Sequence, residues 1–154
     1  KAISGNLPVL ISPWMQGIKA ADLDPAARLD TLTVAEHERE WGEIMAGISG
    51  AVDIVAFQDG HVDFHELPDY LAVNKALADR HGLRCWTNSE TFDRDMPIRF
   101  PPIKWEKLLL KLAAAQQAGV EKAITFEFSH FMSPNSAYLQ AASLYERYRE
   151  YFGV

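Results

Sequence analysis

The chain has 154 residues, 48% of them hydrophobic and 23% charged, the composition of a globular protein with a real core rather than a disordered segment. A net charge of −6 leaves no basic face for a phosphate backbone, so nucleic acid is excluded as a partner. No apolar stretch approaches the roughly 20 residues of a bilayer span, and the single cysteine excludes an internal disulfide or a cysteine metal cluster.

Four short apolar runs end in polar or aromatic residues, and each precedes an amphipathic pattern. The first, Val9-Leu10-Ile11, ends in Ser12-Pro13-Trp14. Thr33 and Glu36 then form a capping box, and Val34, Trp41, Ile44, Met45 and Ile48 share one helix face, with His37 expected in solvent. The second run, Asp53 to Phe57, ends in Gln58-Asp59-Gly60, where the glycine is expected to turn the chain with positive φ. A helix from about Leu67 to Arg80 follows, with Leu71, Leu77 and Ala78 inward. The third run is Cys85-Trp86-Thr87-Asn88-Ser89-Glu90, in which Cys85 reads as a buried small hydrophobe. After Pro101-Pro102 a helix buries Trp105, Leu108, Leu109 and Leu112. The fourth run extends from Ile124 to His130, and the last helix starts near Pro134 and carries Tyr138, Ala141, Tyr145, Tyr148 and Phe152. Gly5, Gly50, Gly82 and Gly119 stand just upstream of the runs, where helix C-caps belong.

Tandem β-α units predict an α/β fold with a parallel sheet covered by helices, all within one domain over residues 1–154. Side chains alternate along a strand, so Ile124, Phe126 and Phe128 share a face and Thr125, Glu127 and Ser129 share the other. The apolar face is expected against helices and the polar face towards the interior of a barrel. A full (β/α)8 barrel takes roughly 250 residues, so four units amount to half of a TIM barrel. The alternative is an open, flavodoxin-like parallel sheet. Half a barrel leaves two bare edges and an uncovered inner face, so a second copy or a missing amino-terminal half is expected to complete it.

Ligands of such sheets sit at the carboxyl ends of the strands. Glu90 ends one strand, with Asn88 and Trp86 on the same face, a carboxylate beside a hydrogen-bonding amide and an aromatic platform. Glycoside hydrolysis needs two carboxyl groups flanking the bond, and Glu127 on the next strand is the candidate partner. Adjacent strands lie about 4.8 Å apart, so one of the two carboxyls is expected to have a raised pKa, Glu127 by preference because of its phenylalanine neighbours. Gln58, Asp59, Trp14 and His130 are candidate sugar contacts at the mouth. His61, His65 and His130, with Asp63 and Glu66, make a weak metal pattern, and no metal is expected. Arg94 and Arg99 either clamp an anionic substrate or pair with Asp93 and Asp95. No phosphate loop or dinucleotide fingerprint follows any strand, and no cofactor is expected.

The stretches Leu10 to Trp14, Asp53 to Gly60, Trp86 to Phe92 and Phe126 to Pro134, with the tail Leu144 to Tyr148, resemble a bacterial family of glycoside-hydrolase-like TIM barrels, domain of unknown function 4434. The resemblance covers nearly the whole chain and implies that its units are the fifth to eighth strands. It also implies that Glu90 occupies the nucleophile or stabiliser position of retaining glycosidases, with the acid/base glutamate in the absent half. On that basis the expected activity is hydrolysis of a polysaccharide or oligosaccharide by a secreted or periplasmic protein, and the isolated chain would be inactive. The alternative is a carbohydrate-binding barrel domain without chemistry.

Overall fold

The structure is a computed structural model and describes residues 5–18, 31–94 and 100–154. Its elements are β1 (Leu10–Ile11), α1 (Val34–Ile48), β2 (Ile54–Gln58), α2 (Leu67–Arg80), β3 (Arg84–Glu90), α3 (Trp105–Gln117), β4 (Lys122–Phe126), α4 (Phe128–Phe131) and α5 (Leu139–Phe152). The strands form one parallel sheet in the order β1-β2-β3-β4. The sequential order excludes the 2-1-3-4 arrangement of a doubly wound sheet. It is the order of half a (β/α)8 barrel, and equally of an open parallel sheet.

One parity of each strand faces the helices. Val55 and Phe57 of β2 and Cys85 of β3 join Met45 of α1, Leu71 and Leu77 of α2, and Ala114 and Ala115 of α3 in the main core. Leu77 is fully buried, a contribution of roughly 1.5–3 kcal/mol for a leucine of this kind. A second cluster, Ile103, Trp105, Leu108, Met132 and Leu144, fastens α3 to α5. The helices thus lie together on one side: α1 packs on α2, α2 on α3 and α3 on α5. The opposite parity carries Leu10, Ile54, Ala56, Gln58, Trp86, Asn88, Glu90, Lys122, Ile124 and Phe126, which the register places side by side on the other face.

The Thr33–Glu36 capping box forms as expected: the Glu36 N–H donates to Thr33 Oγ1 at 3.3 Å and the Thr33 N–H to Glu36 Oε2 at 2.8 Å. Gly82 and Gly119 take positive φ where α2 and α3 end, whereas Gly50 does not. Several expectations need correction. The last helix begins at Leu139 rather than near Pro134, and Ile44 is exposed. β4 stops at Phe126, and its face assignment is the reverse of the one expected from apolarity. Register aligns Phe126 with Glu90 and Ile124 with Asn88, so the apolar parity of β4 turns away from the helices, and Phe126 is exposed. Its ring meets the edge of Phe92, with centroids 6.4 Å apart.

His37 is the largest surprise among the helices: it is fully buried rather than solvent-facing. Its Nε2 lies 2.7 Å from Asn74 Oδ1, and its ring meets Phe57 and Tyr70 edge-on. Burial favours the neutral ring and holds its pKa below the ordinary 6.5, although the bond to Asn74 opposes this. The unfolded chain therefore binds more protons below that value, and stability falls as pH drops from about 6.5 towards the folded pKa. Urea unfolding between pH 5 and 7.5 is expected to show that loss in the wild type and a shallower one in His37→Gln. Equal slopes in both would remove His37 from the acid sensitivity. Cys85 is 1% exposed, and burial pushes its thiol up to about 12, the state of an inert core cysteine.

Candidate active site at the carboxyl end of the sheet

Glu90 is the last residue of β3 and 2% exposed, so its charge needs partners. Arg94 supplies them bidentately: Nε donates to Oε2 at 2.6 Å and Nη2 to Oε1 at 2.5 Å. The guanidinium is itself packed among aromatic rings, 5.2 Å from the centroid of Trp14, 5.1 Å from Phe92 and 5.4 Å from Phe100. Arg94 therefore pairs with Glu90 rather than with Asp93. Asp95 and Arg99 lie outside the described residues.

The backbone of Glu90 is gripped from both ends. Its N–H donates to Asp59 Oδ1 at 3.0 Å, and its carbonyl accepts from Lys111 Nζ at 3.1 Å. Lys111 also donates to Asp59 Oδ1 at 3.0 Å, closing a ring of three groups with Asp59 2% and Lys111 7% exposed. Lys111 comes from α3, so the clamp lies between the strand ends and the helices. Asp59 thus sits beneath the mouth as an acceptor for Lys111. Beside it Asp93 pairs with Lys107, giving three carboxylates matched by three cations. A cavity of about 20 Å³ opens among Asp59, Glu90, Asp93, Arg94 and Lys111.

Gly60 does not adopt positive φ. It is a glycine because Glu90 leaves no room: a Cβ there would meet Glu90 Oε1 at 2.2 Å. Two residues that sequence reading treated separately are therefore one packing unit.

Gln58 and Asn88 are paired in register, and both are tied to the end of β1. Gln58 Nε2 donates to the Ser12 carbonyl at 2.6 Å, and Asn88 Nδ2 to Ser12 Oγ at 3.1 Å. Asn88 Oδ1 is buried with no partner among the described residues. Trp14 bridges to Gln58, stacks on His61 with centroids 4.2 Å apart, and remains 39% exposed. Trp86 is four residues before Glu90 on the same face, about 13 Å lower at 3.3 Å per residue. It belongs to the foot of the sheet rather than to its mouth.

Glu127 requires correction. It does not stand beside Glu90, because Phe126 holds that register. Instead it is the N-cap of α4, accepting the Ser129 N–H at 3.0 Å, the His130 N–H at 2.9 Å and the His130 ring Nδ1. Partial burial pushes its pKa up, but the bonds from His130 and Ser129 outweigh that and hold the carboxyl below 4.5. The elevation expected for Glu127 is overturned. His130 is mostly exposed and committed to Glu127. Asp63, His65 and Glu66 bring potential ligand atoms within 4.8 Å of one another, but Glu66 Oε2 already accepts backbone N–H groups of Ile18 and Asp63.

Sequence reading missed Lys111 and the Arg94–Glu90 pair. Lys111 had a signal: it lies three residues after Leu108 on the apolar face of α3, where a cation needs a buried partner.

The model of a family described as a domain of unknown function, DUF4434, matches residues 1–138. The chain belongs to this family. A crystal structure from Bacteroides thetaiotaomicron, titled "putative alpha-L-fucosidase", is 60% identical with a TM-score of 0.91. It matches 100% of this chain, and the match covers 46% of its own length, so this DUF4434 chain spans less than half of that protein. No curated protein matches the chain. The fold is glycoside-hydrolase-like.

Proposed function

We propose that this chain is the carboxyl-terminal half of a glycoside hydrolase barrel, with Glu90 as the carboxylate that acts on the sugar as nucleophile or charge stabiliser. The observation that carries the reading is the construction around Glu90: a nearly buried carboxylate at a strand's carboxyl end, fixed at its backbone by Asp59 and Lys111 and at its oxygens by Arg94. Evolution of so many contacts around one acid suits a group whose position matters to reacting atoms. Trp14 offers a partly exposed ring beside it, and Gln58 and Asn88 line the same face. Since Glu127 caps a helix, the second carboxyl must come from a segment that completes the barrel, at roughly 5–5.5 Å for a retaining mechanism. The name of the Bacteroides neighbour makes an α-L-fucoside the first substrate to try.

The isolated chain is expected to turn over none of a panel of aryl glycosides and oligosaccharides that includes an α-L-fucoside. Co-expressed with the portion of the Bacteroides chain that it does not match, it is expected to hydrolyse one of them. Glu90→Gln should then lower kcat by about 10²–10³ or more, while Glu127→Gln should change it little. Full activity in Glu90→Gln would remove Glu90 from catalysis.

A second reading, a carbohydrate-binding domain without chemistry, draws support from one feature: Arg94 holds both oxygens of Glu90. Under that reading Glu90→Gln leaves sugar binding intact, and no turnover appears in the completed barrel.

A further inference from the structure

Arg84, Trp86 and Lys122 form a cluster at the foot of the inner face, remote from Glu90. Register sets Lys122 beside Trp86, and Arg84 stands two residues earlier on the same parity. Lys122 Nζ is 5.0 Å and Arg84 Cζ 5.8 Å from the Trp86 ring centroid. Neither cation forms an ion pair with a described residue. Trp86 Nε1 is buried, and its N–H has no acceptor among the described residues. At this height β1 and β2 contribute Leu10, Ile54 and Ala56 to the face; Asp53, which lines a cavity with Arg84, lies on the other parity and its Oδ2 accepts the Val9 N–H.

Two cations and an unmet N–H in one layer are complementary to negative charge. A second copy that closed the barrel about a two-fold axis along the strands would not provide it. Closed two-fold pairing would bring the same residues to the same layer, and so would gather another Arg84 and Lys122 there without a counter-ion. Like charges brought together out of water oppose association. The chain matches 46% of the Bacteroides protein, which leaves a longer non-identical portion in that relative.

We infer that the inner face is completed by a non-identical, parallel-strand segment that sets a carboxylate between Arg84 and Lys122 and an acceptor on Trp86 Nε1, and that the two cations prevent the chain from pairing with itself. The inference rests on the barrel reading, but it concerns association and not chemistry.

Sedimentation equilibrium tests it in two ways. The unmodified chain is expected to be monomeric at micromolar concentration. Lys122→Glu leaves one cation and one anion per copy, a self-complementary layer, and should self-associate at least about tenfold more tightly. Arg84→Glu with Lys122→Glu should be monomeric again. Co-expressed with the unmatched portion of the Bacteroides chain, the wild type should form a one-to-one complex that the double charge reversal weakens by about tenfold or more. Circular dichroism checks that each variant is folded. Self-association of the unmodified chain, no gain in Lys122→Glu, or a hetero-complex indifferent to charge reversal each overturns the inference. None of these readings depends on turnover, so a failure of the glycosidase proposal leaves them standing.

Discussion

Lys111→Met is expected to lower the unfolding midpoint by roughly 6–20 °C. Its ammonium donates to Asp59 Oδ1 and to the Glu90 carbonyl, and both partners are 2% exposed. Methionine fills the space of the lysine stem, so packing is largely preserved. What is lost is the counter-charge: Asp59 becomes an uncompensated buried anion, a situation that costs about 3–5 kcal/mol. For a chain of 154 residues each kcal/mol shifts the midpoint by roughly 2–4 °C. Adding Asp59→Asn removes the orphan charge while its amide oxygen still accepts the Glu90 N–H, so the double variant should regain part of the loss. Thermal melts of both variants decide the matter. A Lys111→Met midpoint within about 2 °C of wild type would mean that the pair holds nothing together.

The order of elements was legible because each rests on local chemistry. Thr33 and Glu36 announce α1, and the span from Leu67 to Arg80 follows from its apolar spacing and matches α2 end to end. Glu90 as a strand-terminal carboxylate was legible for the same reason. Its surroundings were not, because Lys111 and Asp59 reach it across 21 and 31 residues of chain. Glu127 shows a different limit. A glutamate between two phenylalanines reads as a strand residue, but the two N–H groups of the following turn capture its carboxylate and end the strand. The reversed face of β4 has the same origin as the misread parity. Apolarity was taken to mark the helix side, but register with β3 sets Ile124 beside Asn88 and Phe126 beside Glu90 on the other face. His37 misled because a helical histidine with charged neighbours looks solvent-facing, whereas Asn74 on α2 supplies a buried partner.

Gly60→Ala is expected to destabilise the fold through its clash with Glu90. A Cβ on Gly60 lies 2.2 Å from Glu90 Oε1 and 2.3 Å from both Cδ and Oε2, so the whole carboxylate stands in its way. Gly60 is not in the left-handed region, and alanine there carries no backbone strain of its own. A carboxylate at the end of a free side chain would swing aside at little cost. This one is pinned by two Arg94 bonds, while Asp59 and Lys111 fix the backbone behind it. Relief therefore means either displacing the chain at Gly60, an overpacking cost of about 1–3 kcal/mol, or separating a buried carboxylate from its arginine, which costs as much or more. The two causes are distinguished by a double-mutant cycle with Glu90→Ala, which removes the three atoms nearest the new methyl. In that background Gly60→Ala should be nearly neutral in urea unfolding, giving a coupling energy of about 2 kcal/mol or more. A coupling near zero would mean that Gly60 serves the turn after β2 and owes nothing to Glu90. In the completed barrel the same substitution should depress turnover as severely as Glu90→Gln, because it moves the carboxylate that Arg94, Asp59 and Lys111 hold in place.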